Sequence, residues 1–394
     1  MDKETVIVSA ARTPIGKFLG ALSPLKASQL GAIAIKEAVK RAGIKPEEID
    51  EVIMGNVVSA GMGQSPARQA AIYAGIPPDI PSFTVNKVCG SGLKAVMLAA
   101  QAIKAGDANI VVAGGMESMT NVPYYLTDYR FGRKMTHGKL VDGMIYDGIW
   151  CVFEDVHMGA LGDFTAKNSQ ITREEQDEYA YNSQRKACDA IKNGKFKEEI
   201  VPVEVPQKRG EPVIVDTDEG PRPNTTLETL ARLKPVFTKD GTVTAGNAST
   251  INDGAAALVV MSEEKALEKG IKPMARITAY ATGHTEPKML FYAPIKAVRR
   301  LLEKLGRDIN YFDLIEINEA FAAQVLADGK ELGWDWERVN VHGGAIALGH
   351  PIGASGARVL TTLLYALKDK GLKKGLATLC LGGGGAVALS VEML

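Results

Sequence analysis

A cysteine, a histidine and a second cysteine, far apart in the chain, have the local surroundings of nucleophilic acyl chemistry. Cys89 sits in Asn86-Lys87-Val88-Cys89-Gly90-Ser91-Gly92, ahead of the helical run Leu93 to Ala100. The string predicts a strand end, a tight turn and a helix that begins at the sulfur. A helix N-terminus lowers a thiol pKa through its dipole and free N–H groups. The same N–H groups can hold an oxyanion, and Gly90 and Gly92 let the backbone turn tightly beside a ligand. A buried structural cysteine is the alternative, and the Gly-Ser-Gly elbow favours the reactive one. His350 lies in Gly349-His350-Pro351 within a glycine-rich loop that begins at Val341. Histidine suits the removal of a thiol proton near neutral pH. Cys380 precedes Gly382, Gly383, Gly384 and Gly385, whose N–H groups offer another anion-stabilising surface. It could act as a resolving thiol, a metal ligand or a general acid/base. Asn318-Glu319 follows the apolar stretch Leu314 to Ile317, where an α/β fold places either a cap or a ligand contact. Cys151 and Cys188 lack glycine neighbours and are expected to be inert, and His342 is expected to be structural.

The elements that must position these residues alternate between strand and helix. Apolar runs at Val6 to Ala10, Glu51 to Val58, Ser82 to Asn86 and Ala108 to Gly115 read as strands, and helical spacing marks 28–42, 64–75 and the stretch after Cys89. Strands without polar alternation point to a sheet buried on both faces, hence a layered α/β fold. The second half repeats the first. Cys89-Gly90-Ser91-Gly92-Leu93 resembles Gly353-Ala354-Ser355-Gly356-Ala357, and Asp50-Glu51-Val52-Ile53 pairs with Asp313-Leu314-Ile315-Glu316, all at a nearly constant offset. A duplicated domain leaves such a trace. Pseudo-twofold packing of the halves would bring Cys89, His350 and Cys380 to one centre. Residues 120–248 fit neither half and predict an inserted unit that covers a site or mediates assembly. Within it, Arg130-Phe131-Gly132-Arg133 could form a hairpin turn.

Composition narrows the function class. The chain has 394 residues with 46 basic and 46 acidic side chains, a balance that argues against bulk attraction to nucleic acid or an anionic membrane. An anionic substrate would need a local basic patch. Four cysteines make no disulfide framework, no Cys/His cluster has zinc spacing, and no apolar run is long enough to span a bilayer. Met1 to Ile15 reads as strand and turn rather than a targeting segment, so a reducing cytoplasm is the simplest expectation.

Together these motifs resemble the thiolase family over essentially the whole chain. The resemblance rests on Asn86-x-x-Cys89-x-Ser91-Gly92, Asn318-Glu319-Ala320-Phe321, Gly349-His350-Pro351 and Cys380-x-Gly382-Gly383-Gly384. It is strengthened by Val8-Ser9-Ala10-x-Arg12-Thr13-Pro14-x-Gly16 and Gly114-Gly115-Met116-Glu117-Ser118-Met119. It implies a five-layer α-β-α-β-α fold of two duplicated core halves: residues 1–119 with 249–268, and residues 269–394, with 120–248 as the inserted loop domain. It implies a reversible Claisen condensation of two acetyl-CoA to acetoacetyl-CoA and CoA through an acetyl-Cys89 intermediate. In that scheme His350 is the base for Cys89, Cys380 moves the α-proton, and Asn318 holds an oxyanion water. The backbone N–H groups of Cys89 and Gly382 form a second oxyanion hole. His157-Met158-Gly159 is similar to the short-chain members, although Ala160-Leu161-Gly162-Asp163 departs from the Thr-Ala-Glu usual there. By position Ser249 would contact pantetheine, Arg222 the CoA adenine or phosphate region, and Phe237, Ala320 and Phe321 would wall the pocket. CoA thioesters enter as substrates, with no tightly bound cofactor. The Tyr124 to Leu140 stretch resembles the family's tetramerisation loop, which implies a homotetramer. A broader 3-ketoacyl-CoA thiolase of fatty-acid degradation and a non-catalytic acyl-CoA-binding subunit are the alternatives. A cysteine protease would leave Cys380 unexplained.

Overall fold

The computed structural model describes residues 3–394, so Met1 and Asp2 of the opening segment lie outside the described residues. Nine core strands form the frame: β1 (Thr5–Arg12), β2 (Glu51–Gly55), β3 (Ser82–Val85), β4 (Ile110–Ser118), β5 (Asn252–Ser262), β6 (Ala275–His284), β7 (Leu314–Ile317), β8 (Lys374–Leu381) and β9 (Gly385–Met393). The first half orders its strands β3-β2-β4-β5-β1 and the second β7-β8-β9-β6. Each half has the same sequence of pairings. β2 runs parallel to β3 and β4, β4 antiparallel to β5, and β5 antiparallel to β1. Likewise β7 is parallel to β8, β8 antiparallel to β9, and β9 antiparallel to β6. The counterpart of β3 is a single parallel bridge between Ile315 and Val339.

The repeat read in the sequence is therefore a structural repeat. One detail goes beyond it: the two sheets are not separate. Val6 pairs with Arg276 and Ile7 with Ala275, so a short antiparallel contact makes the halves hydrogen-bond continuous at one corner.

Helices α1 (Ala27–Ala42) and α2 (Pro66–Tyr73) cover the outer face of the first sheet; α3 (Ser91–Ala105) covers its inner face. In the second half α8 (Ser355–Lys370) lies inside, against α3. The other face carries α6 (Ala293–Leu305) and α7 (Ala322–Leu332). This gives five layers. Both strand faces are apolar because both are covered: in β2, Val52 and Met54 enter the outer core while Ile53 enters the central one. The central helices close to unusually short range. A Cβ on Gly92 would lie 2.7 Å from the Ala357 nitrogen, and one on Gly356 would lie 2.4 Å from the Leu93 nitrogen. Only glycine permits that approach. Glycines in the left-handed region end the helices, Gly106 after α3 and Gly371 after α8, with φ of 89° and 64°.

Residues between β4 and β5 make the inserted segment, with α4 (Met158–Asn168) and α5 (Arg173–Lys192). Tyr124–Tyr125 pairs with Val141–Asp142, so the Arg130 to Gly132 turn sits at the end of a hairpin. The insert is tied down by Arg12 of β1. This fully buried guanidinium bonds the Asp218 carboxylate at 2.7 and 2.9 Å and pairs with Glu199.

Candidate active site

The Cys89 loop is built by side chains closing on their own backbone. The Asn86 Oδ1 accepts the Val88 N–H at 3.0 Å, Ser91 Oγ accepts the Lys87 N–H at 2.8 Å, and the same hydroxyl donates to the Val88 carbonyl at 2.6 Å. Val88 is held at φ 47°, a conformation that a β-branched residue rarely adopts. Such strain persists only where the surroundings over-determine it, and it concentrates at functional sites.

The helix does not begin at the sulfur. It begins at Ser91, with Gly90 in the N-cap position and Cys89 ahead of both. The expectation of a lowered thiol pKa is also corrected: burial pushes Cys89 up to about 12. The backbone N–H groups of Gly382 and of Cys89 itself hydrogen-bond the sulfur and oppose that rise, and the Glu117 charge adds to it. Desolvation outweighs these donors. Cys89 is thus a neutral thiol beside two converging N–H groups.

His350 is placed by its backbone N–H, which donates to Asn252 Oδ1 at 2.9 Å. Gly349 precedes it at φ 112°, with Asn252 2.4 Å from where a Cβ would be. The ring Nδ1 is 2.6 Å from Ser355 Oγ, which also bonds the Pro351 carbonyl at 2.9 Å. A carbonyl can only accept, so the serine proton points to Pro351 and His350 Nδ1 must donate to the serine. The neutral ring therefore carries its proton on Nδ1 and keeps Nε2 free as a base. Burial, reinforced by the Arg358 charge, lowers the His350 pKa to about 3, which keeps the ring neutral.

Cys380 lies near the end of β8, 2 % exposed. Burial pushes its thiol well above the ordinary value, and charge on Cys89 pushes the same way. The two thiols are thus electrostatic neighbours, although they sit in different halves. The loops that carry them touch: a Cβ on Gly90 would meet the Leu381 side chain at 2.6 Å, and one on Gly382 would meet Val88 at 3.2 Å.

An apolar cavity of about 260 Å³ opens on these groups. Its lining includes Cys89, His350, Cys380, Gly382, His157, Met158, Phe237, Ser249, Ala320 and Phe321, together with Ile149, Leu290, Phe291 and Ile352, which sequence reading had not singled out. Apolar residues without motif context carry no signal of their own in one sequence. The His157 and Phe237 rings stack with centroids 4.6 Å apart, and Gly159 leaves room for the phenyl ring. Asp163, from the stretch that departs from the family pattern, accepts Thr238 Oγ1 at 2.7 Å and the Thr242 and Val243 N–H groups at 2.8 Å. It thereby fixes the turn that follows Phe237. The Ser249 N–H donates to the Ala320 carbonyl at 2.9 Å, joining two walls of the cavity.

Asn318 is fully buried, and neither amide atom has a partner among the described residues. A buried amide of this kind calls for a small polar ligand. The adjacent Glu319 does the structural work, accepting from Tyr179 Oη, Ser183 Oγ, Asn340 Nδ2 and the Ile346 N–H at 2.7–3.0 Å. Arg222 lies apart from the cavity, in a cleft of about 310 Å³ on α5 with Tyr181, Arg185 and Lys192. Cys188 lines that cleft, and His342 makes an edge contact with Phe196 at 5.9 Å.

A five-layer duplicated α/β fold in which two related loops and a strand end bring an imidazole and two thiols to one pocket defines an acyl-transfer enzyme of the thiolase type. Residues 5–264 match the thiolase N-terminal domain and residues 271–393 the thiolase C-terminal domain. The chain belongs to the thiolase family. It is 57% identical over 389 residues to an acetyl-CoA acetyltransferase of Cupriavidus necator and 55% identical over 389 residues to one of Pseudomonas aeruginosa, with 99% of both chains covered in each case. It is 53% identical to a probable acetyl-CoA acyltransferase of Staphylococcus aureus, covering 98% of each. The crystal structure of the Bacillus anthracis acetyl-CoA acetyltransferase superposes with a TM-score of 0.98 at 45% identity, covering 100% of this chain and 99% of that one.

Proposed function

We propose that this protein is an acetyl-CoA C-acetyltransferase that condenses two acetyl-CoA to acetoacetyl-CoA and CoA and catalyses the reverse thiolysis. The observation that carries the reading is the convergence of Cys89, His350 and Cys380 on one apolar cavity. Full-length similarity to acetyl-CoA acetyltransferases supports it.

In the first half-reaction Cys89 Sγ attacks the thioester carbonyl carbon as its proton passes to His350 Nε2. The C–S bond to CoA breaks, and the CoA thiolate takes that proton and leaves as the free thiol. The N–H groups of Cys89 and Gly382 hold the oxyanion. A thiol pKa of about 12 means that the proton moves with the attack and is not lost beforehand. In the second half-reaction the Cys380 thiol passes its proton to the neutral His350 Nε2, and the resulting thiolate removes an α-proton from a second acetyl-CoA. The carbanion attacks the acetyl carbonyl, the C–C bond forms, the bond to Sγ breaks, and Cys89 recovers its proton from His350, while Cys380 keeps the α-proton and both thiols are restored. Asn318, through a water, and His350 stabilise the enolate. Splitting the condensation this way gives ping-pong kinetics.

CoA thioesters are the substrates, and the side chains present supply the chemistry without a resident cofactor. His157, Met158, Phe237, Ser249, Ala320 and Phe321 contact the acyl-pantetheine arm, and Arg222 the nucleotide end. The assembly is a homotetramer in which the hairpin around Phe131 and Met135, 90% and 83% exposed, docks on a second copy. The protein works in the cytoplasm, in keeping with its four free cysteines.

Mass spectrometry after mixing with acetyl-CoA tests the chemistry. An acetyl group on Cys89 is expected in the wild type and in Cys380→Ser, with condensation lost in the latter. No adduct on Cys89 would overturn the mechanism. Thiolysis of a long-chain 3-ketoacyl-CoA as fast as that of acetoacetyl-CoA would sink the short-chain assignment.

A further inference from the structure

Glu117 stands at the end of β4, in the first half, and is fully buried. Its Oε2 accepts two backbone N–H groups, Val57 at 3.0 Å and Gly353 at 2.9 Å. Val57 follows β2 in the same half and packs in one apolar cluster with Val88 and Cys89. Gly353 belongs to the other half, between His350 and Ser355. One carboxylate oxygen thus joins the support of the nucleophile to the loop of its base. The fit at Gly353 is tight on both sides. A Cβ there would meet Glu117 Oε2 at 2.6 Å, and the Gly353 carbonyl oxygen lies 2.1 Å from where a Cβ on Gly115 would be.

The other carboxylate oxygen, Oε1, accepts Asn56 Nδ2 at 2.7 Å, while Asn56 Oδ1 has no partner. Burial raises the Glu117 pKa to about 8, and the bound N–H groups of Val57, Gly353 and Val58 pull it back. The hydrogen bonds, rather than the charge, are therefore the durable part of the arrangement.

We propose that Glu117 is a positioning residue for acyl transfer, whose single oxygen shared between Val57 and Gly353 sets His350 at working distance from Cys89. This rests on the thiolase reading above. Reach and charge can be separated. Glu117→Gln keeps an oxygen at the Oε2 position for both N–H groups and loses only the bond from Asn56 Nδ2, which still donates to the Met116 carbonyl at 3.2 Å. Glu117→Asp keeps the carboxylate but is one methylene too short to serve both N–H groups.

The experiment follows acetylation of Cys89 by acetyl-CoA in a quenched time course, together with kcat and KM for thiolysis of acetoacetyl-CoA. The Gln variant is expected within about threefold of the wild-type acetylation rate, and the Asp variant about 100-fold slower, as for a misplaced reacting group. KM should stay within about twofold in both, since binding groups are untouched. An Asp variant at the wild-type rate, a Gln variant as slow as Asp, or a loss confined to KM would each overturn the proposal. If either variant does not fold, Gly353→Ala gives the reading instead: a loss in kcat alone is expected, and wild-type kcat overturns the proposal. Absence of acetyl-Cys89 in the wild type would instead be a failure of the thiolase reading.

Discussion

Gly92 and Gly356 face each other as reciprocal halves of one contact: each α-carbon stands against the backbone that follows the other, Ala357 and Leu93. They occupy the same place in the two repeats, Ser91-Gly92-Leu93 and Ser355-Gly356-Ala357. The crossing of α3 and α8 at this point sets how near the Cys89 loop comes to the loops of His350 and Cys380.

Gly356→Ala should therefore damage both stability and geometry. The clashing atoms are main-chain atoms that cannot swing aside, so a cost of about 3 kcal/mol is expected for overpacking. Differential scanning calorimetry should show a melting point lower by roughly 3–4 °C for a chain of 394 residues. Gly270→Ala, where a Cβ meets nothing within 4 Å but φ is 64°, should cost only the left-handed backbone strain, about 1 kcal/mol, and no packing penalty.

Ser355→Ala should lower kcat by about 100-fold with little change in KM, the size of a general-base contribution. Without the hydroxyl, nothing obliges Nδ1 to carry the proton, and the free Nε2 becomes a minority form. Steady-state thiolysis measures both parameters. A parallel rise in KM would point instead to a disturbed pocket.

The raised Cys89 pKa makes a pH prediction with a definite sign. A group that ionises near 12 is almost all thiol at neutrality, and its thiolate fraction grows about tenfold per pH unit. Alkylation of Cys89 by iodoacetamide should accelerate steadily from pH 7 to 10 without a plateau. A plateau near pH 7 would mean a pre-formed thiolate.

Met158 stands between the central cavity and a second cleft of about 570 Å³ lined by Trp150, Cys151, Val152 and Phe153. Met158→Ala should connect them. Thiolysis of six-carbon or longer 3-ketoacyl-CoA should rise about tenfold relative to acetoacetyl-CoA, the worth of about two methylenes of new apolar contact. Competition assays with the two substrates measure the ratio.

Acid should destabilise the fold through its buried histidines. His350 and His342 are held neutral by burial, with pKa values lowered to about 3 and about 4. The unfolded chain takes up protons below about 6.5 while the folded one does not, so stability falls as pH drops from there. Urea midpoints between pH 7 and 4 should decline, with a smaller slope in His342→Gln.

Much of the architecture was legible because it rests on local rules. Apolar strands, glycine helix stops and the internal repeat are written in short windows, and each half obeys them separately. The five layers were implied by the family resemblance, and the strand order was set only by the tertiary pairing of the strands. The β1–β6 contact that joins the sheets leaves no such trace, since a two-residue pairing between distant strands has no sequence signature.

The chemistry divides in the same way. The sequence by itself determined which side chains could react, because glycines around Cys89, His350 and Cys380 are a cost that only close approach to a ligand explains. Tertiary structure decided how those groups behave. Burial overrides the helix start and holds Cys89 as a thiol, the Ser355 hydroxyl selects the His350 tautomer, and Glu117 ties together loops from opposite halves. The first depends on solvent exclusion and the last on atoms 236 residues apart, which no one place in the chain encodes; the Ser355 contact spans five residues but needs the loop to fold back on its helix.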